Sequence, residues 1–339
     1  MIVKRKLFFL MILCSMAFVF GGCGMQGKPA ASTNKYPTKP ITLIVPYAAG
    51  GSADMMARAM EKAGNKHLGQ PFVVKNITGG SGMLAWNELA GSDADGYTLG
   101  VTSAGVILQP LYGQTRYHYP SALDPLARIA YFPIVVAVLA DKPWQNIDDL
   151  IQYAKANPDE IKCGHPGLGT TNHIVGEMLA KEAGVNIAQV PFGKGESESL
   201  AALLGGHVQL IVTNASVIKE YVKTGRVKVL AATTENRLSE PEFRSAPTFK
   251  EQGFNIVFTL WYGIGAPKEL PKDVKRVLEE KLKAIVHDDE FKDNMKQLGM
   301  TVEYLGAEDS VDKWILETRE MDKIVRETGI AERIAAQKK

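Results

Sequence analysis

Ile41-Thr-Leu-Ile-Val-Pro-Tyr-Ala-Ala-Gly-Gly-Ser-Ala-Asp54 is the stretch from which the fold can be read. Ile41 to Val45 is a short apolar, β-branched run, which suits a buried strand. A proline and a glycine pair then turn the chain. Met55, Met56, Ala59, Met60 and Ala63 recur beyond them at helical spacing. Strand, glycine turn and helix start in that order bring unpaired N–H groups and the positive end of a helix dipole to one point. The stretch therefore predicts an anion site, with Ser52 able to cap the helix and Gly64 or Gly69 ending it.

The same unit recurs downstream. Pro71 to Asn76 reads as a strand feeding Thr78-Gly-Gly-Ser-Gly82, then a short helix around Leu84 to Leu89. Tyr97 to Thr102 reads as a third strand, ending at Ser103-Ala104-Gly105. Repeated strand–loop–helix units predict a parallel α/β sheet, whose ligands sit beyond the carboxyl ends of the strands. Ile129 to Ala140 is a long apolar stretch, expected to break at Pro133 and to leave the first domain.

A second α/β unit follows. Asn146 is placed to cap a helix, and Ile161 to Gly164 forms a short strand. His165-Pro-Gly-Leu-Gly-Thr-Thr-Asn-His173 then repeats the opening design of strand, glycine loop, hydroxyl cap and helix. Further strands are expected at 187–190, 208–212 and 227–232, and another at 256–264. The last carries Trp261 and Tyr262, neighbours that must point to opposite faces, so at most one can line a cleft. Helices from Pro271 and from Ala307 to about Thr328 complete the chain. The expected layout is a discontinuous first domain, 36–137 and 236–339, around a second at 138–235.

The N-terminus reads as an export signal. Lys4-Arg5-Lys6 precedes an apolar run of 14 residues, Leu7 to Phe20, shorter than the roughly 20 needed to span a bilayer. Phe20-Gly-Gly-Cys23 resembles a lipobox. Residues 1–22 are therefore expected to be removed, Cys23 to carry lipid, and 23–35 to form a tether. Without those three cations, 36 basic residues face 37 acidic ones, a balance that gives nucleic acid no reason to bind. Cys14 leaves with the signal and Cys23 is modified, so Cys163 has no partner for a disulfide.

Catalytic patterns are thin. Thr78-Gly-Gly-Ser-Gly82 lacks the Lys-Ser/Thr of a phosphate-binding P-loop, and neither Ser52 nor Ser81 sits in Gly-x-Ser-x-Gly. Both serines read as helix caps or ligand donors. Cys163 reads as core, and Cys163, His165 and His173 are too few for a metal site. His173 reads as a cap, a packing residue or a contact at the pocket edge. Asp54 suits the helix dipole, or holds the loop or ligand water, or meets an ammonium group; Arg58 one turn on can pair with it. No catalytic residue, metal or cofactor is expected. The rival reading, an exported hydrolase using Ser52 or Ser81 with His173, lacks an orienting carboxylate in that loop.

Several segments together resemble the Bug/TctC family of extracytoplasmic receptors for tripartite tricarboxylate transporters. They are Pro46 to Arg58, Asn76 to Gly82, Asp95 to Leu99, Pro191-Phe-Gly-Lys-Gly195, Leu203 to Gly206, Ala246 to Thr248 and Trp261 to Pro267. The resemblance spans roughly residues 36–328. It implies a two-domain periplasmic-binding-protein fold, type II-like, closing on a ligand like a flytrap. It implies a small carboxylate, often a di- or tricarboxylate, bound by backbone amides, hydroxyls and waters. By position it assigns Tyr47, Ala48, Ala49, Gly50, Gly51, Ser52 and Asp54 to the first loop, and Thr78, Gly79, Gly80, Ser81 and Gly82 to the second. Ser103 and Ala104 come from the third strand end, and Gly167, Gly169, Thr170, Thr171 and His173 from the other domain. The second loop departs from a common Gly-Ala-Gly-Gly pattern. Gln209 stands where aspartate is common, with Asn214 nearby. The implied protein is a monomer, held to the membrane by lipid alone, that serves multispanning transporter subunits; a sensory receptor would share the same pocket.

Overall fold

The strand at Ile41–Val45 (β1) lies between Phe72–Asn76 (β2) and Thr98–Ser103 (β3), parallel to both. The computed structural model describes residues 36–113 and 115–337; the signal segment, Cys23 and the tether fall outside these. Ile41, Leu43 and Val45 have no exposure and Ile44 almost none, as expected of a strand covered on both faces. The helix Ser52–Leu68 (α1) packs on β2, and Gly69 ends it in the left-handed conformation. Gly64 lies inside the helix, where a Cβ would stand 2.6 Å from the Phe72 ring. It is a packing glycine, not a stop. Met83–Ala90 (α2) and Gly105–Leu111 (α3) follow β2 and β3, and Tyr119–Ala122 (α4) leads into the longest strand.

That strand, Leu123–Leu139 (β4), runs unbroken through Pro133. The expected break is absent because the ladder changes partners there. Up to Pro133 the strand pairs antiparallel with Thr259–Pro267 (β9), and from Ile134 with Leu210–Asn214 (β7). A residue without an N–H is cheap at such a handover.

The first half of β4 completes a sheet ordered β2-β1-β3-β9-β4, with Thr301–Leu305 (β10) on its far edge. The second half joins β7, Lys162–His165 (β5), Ala188–Pro191 (β6) and Val227–Ala232 (β8). Helices Ile147–Ala156 (α5), Thr171–Ala183 (α6), Glu196–Leu204 (α7) and Ala215–Lys223 (α8) belong with this second group. Asn146 caps α5 by accepting from the Asp149 N–H at 2.8 Å. Under the second sheet, Leu200, Leu203, Val208, Ile211 and Ile218 share a core with Leu238 and Phe243.

Lys272–His287 (α9), Asp289–Gln297 (α10) and Ala307–Thr328 (α11) return to the first sheet, where α9 and α11 pack on β4 and α10 on α1. Ile330–Gln337 (α12) ends the described chain. Among the described residues, no helix is long and apolar enough to cross a membrane.

Candidate functional site

Strands β3 and β7 end where β4 passes between the sheets. Ser103, the last residue of β3, is registered with Tyr262 of β9, and Tyr262 with Ala130 of β4. On the other sheet, Asn214 at the end of β7 is registered with Ile134. The carboxyl-end loops of the two sheets therefore face each other across a few residues of β4. They enclose about 20 Å³ of space open to the centre of a water, room for a single one. Its lining includes Tyr47, Ser103, Thr170, Thr171, Glu196 and Tyr262.

The helix start at Ser52 is occupied, and the occupant is the chain's own carboxylate. Glu196, the first residue of α7, is buried and reaches across from the second sheet. Its Oε2 accepts from the Ser52 N–H at 3.2 Å and from the Ser52 hydroxyl at 2.5 Å. Its Oε1 accepts from the Asn214 N–H at 2.9 Å and the Thr213 hydroxyl at 3.4 Å. Ser52 does not cap α1. It is the first helical residue, after Gly51, and its hydroxyl also meets the Tyr262 hydroxyl at 2.9 Å and accepts from Asn214 Nδ2 at 2.7 Å. Burial pushes the Glu196 carboxyl upward, against the pull of its hydrogen bonds from Ser52 and Asn214. Burial raises the phenols of Tyr47 and Tyr262 too, and the Glu196 charge adds to both shifts.

Asp54 supports the loop from behind. Its Oδ2 accepts from the Gly50 N–H and pairs with Arg58, both at 3.0 Å, and Oδ1 accepts from Asn76 Nδ2 at 3.0 Å. Its carboxyl sits below the ordinary range: burial works to raise it, and the bonds from Arg58, Gly50 and Asn76 together outweigh that. The Ala48 N–H donates to Lys194 O at 2.8 Å, joining the first loop to the one before α7. Ala49 and Gly50 are exposed, and Thr78, Gly79, Gly80 and Gly82 do not line the cavity. Ser81 lies against Gly167, where a Cβ would stand 2.4 Å from the serine Oγ. At Gly169 a Cβ would stand 2.3 Å from the Tyr112 ring. Both glycines also hold positive φ, at 145° and 72°. Ala104 faces a second, more open hollow with Thr171, Met178 and Trp261.

Thr170 caps α6, its hydroxyl accepting from the His173 N–H at 3.3 Å. His173 lies beneath the loop, not in the cavity lining. Its Nδ1 accepts from the Gly169 N–H at 3.1 Å, which leaves the proton on Nε2, 3.4 Å from Glu177. His165 stacks on it at 4.3 Å between ring centroids and donates from Nδ1 to Gly167 O at 3.0 Å. Burial, then the neighbouring His173, hold His165 well below the usual histidine range. Ser52 and His173 thus have separate sets of partners and form no couple with each other. Cys163 is a free, fully buried thiol, pushed by burial up to about 12.

Glu196 is the residue that sequence reasoning missed. The Pro191–Gly195 loop stands out in the sequence, but an acid in the first turn of the next helix has a sufficient explanation in the dipole. Asn214 and Tyr262 were visible only as neighbours of other features.

The tripartite tricarboxylate transporter family receptor profile matches residues 56–330. The chain belongs to this family. A curated relative, the UPF0065 protein in the gbd 5' region of Cupriavidus necator, is 33% identical over 310 residues, covering 91% of this chain and 93% of that one. Among solved structures, the periplasmic binding protein BugD superposes with a TM-score of 0.82 at 30% identity, covering 87% of this chain and 99% of the other. An R. palustris protein solved with adipate gives the same TM-score and identity, at 87% and 98% coverage. The family and these neighbours are extracytoplasmic solute-binding receptors rather than enzymes, and the fold is the α/β periplasmic-binding-protein fold.

Proposed function

We propose that this chain is a lipid-anchored receptor, attached at Cys23, that captures a small organic acid between two domains. It then delivers the acid to the multispanning subunits of a tripartite transporter. The observation that carries this reading is the cavity itself. Loops from both sheets line it with hydroxyls around two helix starts, and no arginine or lysine is among its described lining residues. That is a site for an anion met by neutral dipoles, from which release can be fast. The adipate found in a 30% identical neighbour is consistent with it.

At about 20 Å³ the cavity is too small for an organic acid, so entry requires the jaws to part. The proposed division into 36–137 with 236–339 and 138–235 is supported by the change of partners along β4 after Pro133 and by the Thr233 hydroxyl, which lies between Ile134 O and Phe258 O. The packing of Leu238 and Phe243 supports placing 236–258 with the second domain. Within the proposed site, Tyr47, Ser103, Thr170 and Thr171 offer the ligand-facing groups, and Ser52 stands behind them, bonded to Glu196, Tyr262 and Asn214. Ala48 to Gly51 and Thr78 to Gly82 shape the jaw, Gly167 and Gly169 permit closure, and Asp54 and His173 hold their loops.

Titration calorimetry against adipate, malate, citrate, a neutral sugar and a short peptide tests this. One site for at least one acid, and none for the sugar or peptide, is the expected result. Binding of the neutral compounds alone would end the proposal.

A further inference from the structure

Among the described residues, one charged side chain lines the cavity, and it is an acid. Glu196 faces Tyr47 from the loop after β1, Ser52 from α1, Thr213 and Asn214 from β7, and Tyr262 from β9. On its own helix, Glu198 is occupied with the Lys194 N–H at 3.1 Å. Asp54, further along α1, is held by Gly50, Arg58 and Asn76. Among the described residues, no lysine, arginine or histidine lines the cavity or bonds to Glu196.

A ligand carboxylate drawn into this space therefore stands beside a second carboxylate with no cation between them. Two such groups in one water-poor site do not both stay ionised; the pair retains a proton. The structure offers that proton a place. While Glu196 is ionised, Ser52 donates to its Oε2 across 2.5 Å. Once Glu196 is protonated, its O–H donates to Ser52 Oγ and the serine hydrogen turns to Tyr262, 2.9 Å away. Neither step moves a heavy atom.

Resting on the carboxylate-receptor reading above, we propose that the organic acid binds together with one proton, held on Glu196 or shared between Glu196 and the ligand's carboxylate. The ligand arrives as the anion, solvent supplies one H⁺, and no bond other than that O–H is formed. Burial already displaces the Glu196 carboxyl in the direction such uptake needs.

Calorimetry of the purified chain with adipate, malate and citrate, in phosphate and in Tris at neutral pH, measures the uptake, because the two buffers differ in ionisation heat. The expected result is about one proton taken up per acid bound, with affinity falling about tenfold per pH unit as pH rises. Glu196→Gln should abolish the uptake and flatten that profile, and Glu196→Ala is the second variant should glutamine not be accommodated. Tight binding without proton exchange overturns the coupling and leaves the receptor reading standing. Uptake that persists in a folded Glu196 variant overturns the assignment to Glu196. Failure of all three acids to bind overturns both.

Discussion

At Gly167 and Gly169 there is no room for a single added methyl group. The contacts that an added Cβ would make, with Ser81 and with the Tyr112 ring, run between the two sheets rather than within one. Gly169→Ala is expected to weaken carboxylate binding by about tenfold or more, roughly 1.4 kcal/mol. The left-handed φ of 72° adds about 1–2 kcal/mol of strain to the folded state. Adding Tyr112→Ala should recover part of the affinity and none of the stability. A double-mutant cycle by calorimetry and thermal melting separates the two effects, and strictly additive losses in affinity would count against a clash across the cleft.

His165 gives a second test at this scale. Buried and neutral, it binds fewer protons than the unfolded chain as pH falls below about 6.5, so folding loses stability there and is unaffected well above it. Melting temperature should fall between pH 7 and 5, and His165→Gln should reduce that slope. An unchanged slope would place the acid sensitivity elsewhere. Glu196 shows why part of the site was illegible: a residue's type and position on a helix do not reveal that it crosses to another helix 144 residues earlier in the chain.

Among elements, β4 and the α9–α10 junction carry most of the organisation. The apolar run around Pro133 was legible as a strand leaving the first sheet, but a one-dimensional pattern reads proline as a break. Only the pairing shows a handover. β10 and α10 were not legible at all. The first is five residues long with none fully buried, and the second buries only Phe291 and Met295, so neither has a strong period. Asp288 starts α10, its Oδ1 accepting from the Phe291 N–H at 3.2 Å, while Oδ2 meets Lys66 at 2.6 Å and His67 at 2.8 Å on α1. Asp288→Ala is expected to cost about 1–2 kcal/mol, seen as a lower melting temperature at neutral pH. Lys66 and His67 hold the carboxyl well below the ordinary aspartate range, so its contribution is complete above about pH 4 and lost as pH falls further. Wild type and variant should therefore converge in acid, and a constant gap down to pH 2 would contradict this account.

Over the whole molecule, residues from 37 onward group as one compact unit, because the sheets share β4 and their loops interlock. The receptor fold was legible because each jaw repeats strand, glycine loop and helix, and that repetition survives in sequence. Which loops meet between the sheets was not, since those contacts join residues far apart in the chain. The central claim is that a small organic acid is the cargo. Native mass spectrometry of the chain purified from its own host tests it most directly. One carboxylic acid should be retained at one per protein and lost on denaturation. A neutral sugar or peptide retained in its place would contradict it.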